Sequence, residues 1–511
     1  LTADATLHIP GKNKRNSEKI APLSALHKLQ DGDTRQRAHQ PAKTLLLLLV
    51  GKAGQAAAVV TSTFVLTHLM SRPQLATVSQ MVSVSNFAYG FLMYPVLNYI
   101  LRHQIQWRAS GHYRQNLQAF LRFVFVASLI FSVIVGAGQL SGLIVHDMSA
   151  SVVFLLTLSY VLFLSLANAG AFSLNVFSRR VAYVLYYNAA TWSAVIFGVI
   201  LTLFWTRTPE SWLAGSSIGQ MIGATAIFLL FAMATPAPEK EKAESSDSLD
   251  VVKVLRFAAM QSAGFALWWV QSQSYRFFAH GSSEAAVVGL VAAAQMMTYQ
   301  AMQAFAAVVN DFFMPRIMVD KAAQREALNK LMAAIIPAVV LFGGFLIGVS
   351  PLLVRVLFGS QFSSASQFIM LLALNDSFVA VYGVLYLICV IRVEMRPTMT
   401  AMIVGAISAP VLRIGFGFIF DPLFSILASL FLSYLAMLLT VLYEFKKLKL
   451  SIPLHRSAIA LYLAIPCIGV GAIATQLSIP YWTGLLLIGV LGCYTLAMQF
   501  FLAKPWLAAE S

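Results

Sequence analysis

The chain has 511 residues, 59% hydrophobic and only 11% charged, with a net charge of +15. A soluble domain carries about 25% charged residues, so this composition argues against an ordinary soluble enzyme. The three cysteines, Cys389, Cys467 and Cys493, lie in apolar runs without metal-ligand spacing, which argues against a disulfide framework and a zinc site.

Residues 1–43 are polar, basic and poor in aromatics, and read as a disordered cytoplasmic tail. Leu1 stands where a start Met would, which points to a truncated chain or an unusual start. The first apolar run begins only at Thr44, too far along for a secretory signal, and reads as a retained span. Apolar runs of about 20 residues, the length that crosses a bilayer, then recur to the C-terminus. They fall at 44–70, 74–101, 119–141, 150–177, 181–205, 211–234, 257–279, 285–310, 331–358, 365–391, 397–420, 423–445, 457–475 and 481–502. The expectation is an all-α, polytopic membrane protein of about fourteen helices.

The basic residues orient it. With the tail inside, 29 of the 35 Lys and Arg fall in cytoplasmic segments, and the outer loops hold only Arg72 and Arg207. That asymmetry places both termini in the cytoplasm. It also explains the positive charge by an anionic membrane surface rather than by nucleic acid.

The segment 235–256 is a charged, Pro- and Ser-containing linker within the membrane region. It separates a six-helix lobe at 44–234 from a second at 257–445. Residues 446–511 add a helix pair and a short tail. Two six-span lobes joined by a cytoplasmic linker are the layout of a transporter built from parallel repeats.

Four cations sit inside the spans: Lys52, Arg276, Arg355 and Arg413. A cation at a helix centre costs ~2.5–3.5 kcal/mol on insertion scales and usually faces a bundle interior or a watery cavity. Polar residues share faces around them. Gln295, Tyr299 and Gln303 recur every four residues in span 8, and Ser79, Ser83, Asn86 and Gly90 line one side of span 2. Lys52 and Gln55 are one turn apart, and span 7 carries Gln261, Gln271, Gln273 and Arg276. The expected cavity set is Lys52, Gln55, Asn86, Gln273, Arg276, Gln295, Tyr299, Gln303 and Arg413. The competing explanation for such residues is helix-to-helix glue, and Lys52 and Arg276 also have the option of snorkelling to an interface. Arg355 reads as an interfacial anchor. Asp376, the most deeply placed acid, reads either as an ion-coupling site or as the partner of Arg413. Pro95, Pro315 and Pro351 suggest kinks.

No Walker, HExxH or GxSxG motif occurs, and the outer loops are too short for a catalytic domain. No enzyme activity, metal or cofactor is expected.

Three stretches resemble a known family. QSQSYRFFAHGSSEAAVVGLVAAAQMM (271–297) has a polar span 7, a short loop, a Gly and a small-residue helix; FFMPRI (312–317) has a Pro-containing exit of span 8; VLFGSQFSSAS (356–366) has a Phe-Gly turn between spans 9 and 10. They resemble the O-antigen and exopolysaccharide flippases of the multidrug/oligosaccharidyl-lipid/polysaccharide superfamily, most clearly over 256–445. The resemblance implies an inner-membrane transporter that carries a polyprenyl-diphosphate-linked oligosaccharide outward by alternating access. Its implied partners are that lipid-linked substrate, membrane lipids, and polysaccharide polymerase and export proteins. Arg suits such a substrate because its planar fork binds phosphate or carboxylate in a bidentate manner. The alternatives are cation-coupled multidrug efflux, which calls for an acidic, aromatic pocket; a membrane glycosyltransferase, ligase or polymerase; and a scaffold, which leaves the buried cations unexplained.

A reporter active only in the cytoplasm should be active when fused after Ser246 and silent after Thr206. The reverse pattern would invert the orientation.

Overall fold

The computed structural model describes residues 41–141, 148–177, 179–234, 251–278, 281–317, 324–392, 395–447, 453–477 and 479–508. Of the expected tail at 1–43 and linker at 235–256, residues 1–40 and 235–250 lie outside the described residues. Contacts divide the chain between Leu47 and Leu48, and the bundle below is that of Leu48–Ser511.

Fifteen α-helices run through the described residues: α1 (Pro41–Leu69), α2 (Arg72–Ala88), α3 (Tyr94–Ala109), α4 (Tyr113–Leu140), α5 (Ala150–Val176), α6 (Arg180–Phe204), α7 (Pro209–Ala234), α8 (Val251–Gln273), α9 (Gly281–Ile317), α10 (Gln324–Leu357), α11 (Ile369–Arg392), α12 (Arg396–Gly417), α13 (Pro422–Lys447), α14 (Leu454–Gln476) and α15 (Tyr481–Ala508). Among the described residues, ten are long and apolar enough to cross a membrane. A π-helical turn, Tyr89–Met93, joins α2 to α3 as one helical run, with Pro95 just beyond it. Fifteen helices therefore make fourteen runs, in line with the expected spans. Several boundaries move: Val251–Arg256, expected in the linker, opens α8, and residues 41–43, expected in the tail, open α1.

The bundle buries polar and small residues among its apolar core and turns large apolar side chains outward as well. α4 buries Asn116, Ser128, Ser132 and Gly136 and exposes Phe125, Ile130, Val133 and Ile134. α13 buries Ser425, Ser429 and Ser433, one per turn. In hydrocarbon nothing drives apolar faces together, so helices associate through small residues that let backbones approach. The α6–α7 seam shows this most directly. Gly215, Gly219 and Gly223 lie four apart on α7, and a Cβ on them would meet Phe197, Ser193 and Ala190 of α6. Ser193 Oγ donates to the Gly219 carbonyl at 2.7 Å. Gly344 and Gly348 of α10 meet Ala464, Cys467 and Gly471 of α14 in the same way.

The turns are chemically specified. Ser71 and Gln74 form a capping box at the start of α2, with Pro73 in the first turn. Asp421 caps α13 by accepting from the Leu423 and Phe424 N–H groups at 3.0 and 3.1 Å. Arg355, expected as an interfacial anchor, is partly exposed near the end of α10. Its guanidinium donates to the Leu477 and Thr475 carbonyls, tying α10 to the C-terminal end of α14, where orphan carbonyls attract a cation.

Replacing Gly219 by Leu should force α6 and α7 apart. Overpacking of this kind costs about 1–3 kcal/mol or more, read as a lowered thermal midpoint of the purified protein in detergent. Leu at the exposed Ile218 position should leave the midpoint unchanged.

Candidate functional site

The candidate site grows from the seam between the α2–α3 run and α8. Polar contacts follow it along its length. Gln80 Nε2 donates to the Arg276 carbonyl at 2.6 Å. Trp269 Nε1 donates to the Ser83 carbonyl at 3.0 Å, and Ser83 Oγ to Gln273 Oε1 at 3.3 Å. Further along, Ser262 Oγ donates to the Phe91 carbonyl in the π-turn at 2.7 Å, and Asn98 Nδ2 to Gln261 Oε1 at 3.1 Å. The Arg102 guanidinium then lies 5.0 Å over the Phe257 ring.

At one end of this seam α8 tightens into a 3-10 turn, Ser274–Phe277. The turn swings Tyr275 and Arg276 inward, where they are 2% and 7% exposed. Arg276 therefore does not snorkel. Its Nη1 donates to the Ser79 carbonyl at 2.9 Å, its Nη2 to Gln295 Oε1 at 3.2 Å and its Nε to the Tyr275 hydroxyl at 3.2 Å. That hydroxyl in turn donates to Gln295 Oε1 at 2.8 Å. All three acceptors are neutral, and no carboxylate pairs with the guanidinium among the described residues.

Arg276 lines a cavity of about 450 Å³, within the ~300–1,000 Å³ range of small-molecule sites. Its walls come from α1, α2, α5, α6, α7, α8 and α9. A neighbouring cavity of about 220 Å³ is lined by Lys52, Gln55, Ala56, Val59, Gln300, Gln303 and Ala304. Val59 and Gln300 line both, so the two adjoin.

The expected residues divide between them. Asn86, Gln273, Arg276, Gln295 and Tyr299 line the larger cavity; Lys52, Gln55 and Gln303 line the smaller. Arg413 lines neither: its Nη1 donates to Ser425 Oγ at 2.7 Å, and the acid in electrostatic range is Glu284, not Asp376. No ion pair joins Arg413 and Asp376 among the described residues; α12 turns the arginine onto α13 instead. Asp376 is 3% exposed on α11, and its Oδ2 has no hydrogen-bond partner. The Thr298 hydroxyl beside it donates to the Ala294 carbonyl. No acidic residue lines either cavity, and no group of three or more metal-ligating side chains occurs among the described residues.

Sequence reasoning missed half of the wall. Tyr160 and Asn168 of α5, Tyr187 and Thr191 of α6, and Trp212, Ser216 and Gln220 of α7 line the larger cavity, as do Trp268 and Trp269 of α8. The amides Asn168 and Gln220, each inside an apolar run, were the available signal. The aromatic residues gave none, because rings in a span are equally at home facing lipid. Six aromatic rings, several amides and one cation make a surface suited to a polar, ring-bearing ligand with negative charge.

No family model matches the chain, and no curated protein matches it. Solved structures do. The lipid II flippase MurJ, in an inward closed conformation, matches with a TM-score of 0.64 at 12% identity, over 90% of this chain and 100% of that one. The eukaryotic MATE transporter AtDTX14 matches with a TM-score of 0.57 at 14% identity, over 83% and 99%. The MATE multidrug transporter DinF-BH matches with 0.51 at 16%, over 80% and 96%. The fold is that of MurJ and the MATE transporters. At these identities the likeness is one of fold.

Gln295→Leu should leave the Arg276 Nη2 and the Tyr275 hydroxyl without their acceptor. A buried donor left unpaired costs about 1–3 kcal/mol, measurable as a lowered thermal midpoint. Gln55→Leu removes an amide with no hydrogen bond among the described residues and should change the midpoint little.

Proposed function

We propose that the chain is a membrane transporter that carries a polyprenyl-diphosphate-linked oligosaccharide from the cytoplasmic to the periplasmic leaflet of a bacterial inner membrane by alternating access. The observation that carries the reading is the cavity lining: Arg276 with no carboxylate paired to it among the described residues, no acid, and Trp and Tyr rings interleaved with amides. Sugar rings stack on aromatic faces and their hydroxyls pair with amides. The cations at Arg276 and Lys52 offset the cost of bringing a diphosphate below the membrane surface. The fold shared with a lipid II flippase supports the same reading. Lys52, Gln55 and Gln303 would meet the part of the head group nearest the cytoplasm, and the polysaccharide polymerase and export proteins would act on the delivered product.

Asp376 fits a coupling role in this scheme. Its buried Oδ2 lacks a partner, and a carboxylate so placed would gain from a proton or a monovalent cation. The rival reading, efflux of cationic drugs, draws on the likeness to MATE folds. The acid-free cavity lining disfavours it, because a buried cationic drug needs a carboxylate partner.

Depleting the protein should trap the lipid-linked oligosaccharide with its head group facing the cytoplasm, read by a membrane-impermeant head-group probe applied to each face. Equal exposure on both faces after depletion would end the flippase reading.

A further inference from the structure

The run VLFGSQFSSAS (356–366) plays no part in either cavity. Its backbone leaves helix α10 at Phe358 and winds into a 3-10 turn, Ser360–Gln367. Phe358 and Phe362 are buried and meet edge to face at 6.4 Å, seating the turn on the bundle. Its other side grips the α1–α2 turn, 289 to 292 residues away in sequence. The Gly359 N–H donates to Thr67 Oγ1 at 3.3 Å. Gln361 Nε2 donates to the Met70 carbonyl at 2.5 Å. Arg72 Nε donates to the Gln361 carbonyl at 2.6 Å, and its Nη2 to that carbonyl and to Ser364 Oγ. Gln361 thus gives through its side chain and receives through its backbone. A Cβ at residue 359 would collide with the Thr67 carbonyl, so only Gly allows this approach.

The grip lies beyond the Leu66–Ser79 end of the larger cavity, on the same two helices. Leu66 lines the cavity and Thr67 is held by the turn; Ser79 lines it, and Arg72 lies two helical turns away on the same helix. Arg72 is half-buried, its bonds to the exposed Gln361 lie at the rim, and all its acceptors are neutral. Water replaces each bond Arg72 gives up to Gln361, so these rim bonds are the part of the grip cheapest to release, while the Gly359–Thr67 bond is buried.

We propose that the Arg72–Gln361–Ser364 clasp is the gate at the α1–α2 end of the cavity: closed, it seals that face, and its release opens the cavity there. The proposal rests on the transporter reading for its purpose, and on the Lys and Arg distribution for naming that face the outer one.

The test labels a cysteine at Asn86 (N86C), an exposed cavity-lining position. It uses the full chain with the exposed Cys493 replaced by Ser, in right-side-out and inverted vesicles, with a membrane-impermeant maleimide and no substrate. Arg72→Ala and Gln361→Ala should each raise labelling from the outer face, by about fivefold. Ser363→Ala, at an exposed position of the same turn, should not. A rise seen instead from the opposite face upholds the clasp and overturns only the orientation. Labelling at the parent rate in both clasp variants overturns the gate, as does a parent already labelled at the variants' rate. Rates are compared per amount of protein that elutes as a folded species, so a variant that misfolds leaves the other to decide. Because no substrate is present, the result stands apart from the depletion experiment.

Discussion

Hydrocarbon offers no hydrogen bonds, and this sets the terms for every helix of the bundle. A polar side chain in a span finds no partner in lipid, so it turns toward the protein. α4 turns Ser128 and Ser132 inward and Phe125 and Ile134 outward, the reverse of a soluble helix. Serine, glycine and alanine bring backbones close enough for dispersion and hydrogen bonding to take over from a hydrophobic effect that lipid removes. The same demand governs the cations within the spans. Arg276 goes to Ser79, Gln295 and Tyr275, Arg413 to Ser425, and Arg355 to the carbonyls that end α14.

The three arginines differ in what they touch. Arg355 and Arg413 donate to a neighbouring helix and line neither cavity. Arg276 holds α8 to α2 as well, yet it does so beside a cavity, through neutral acceptors. One residue therefore positions the wall and gives that wall its field. A ligand bearing negative charge would compete with Ser79 and Gln295 for the same donors, linking occupancy of the cavity to the state of the seam.

The extended α2–α8 seam and the clasp at residues 359–364 contribute differently to the bundle. The seam runs through the π-turn, whose Phe91 carbonyl accepts from Ser262. π-turns often mark functional sites in helices, and a partner from another helix compensates the displaced backbone bond. The clasp is short, partly exposed and built from a 3-10 turn and a helix cap. A long polar seam keeps two helices in register, while a small grip at the rim has fewer bonds holding it.

Fold class, span count and the polar faces of α2 and α9 were legible in the sequence, because lipid imposes a length and a periodicity that residues obey locally. Eight of the nine residues expected at a cavity line one of the two, since a polar residue in a span has few other places to go. Partnership was not legible. Arg413 and Asp376 sit at compatible depths on adjacent spans, but helix rotation, set by packing, sends one to Ser425 and leaves the other beside Thr298. Nor was the wall from α5 to α7, whose aromatic residues carry no sign of facing inward until the Gly215–Gly219–Gly223 seam fixes how α7 lies on α6. The clasp between Arg72 and Gln361 joins segments 289 residues apart. Local chemistry wrote both of its halves, the capping box and the Phe-Gly turn, and only the assembled bundle brought them together.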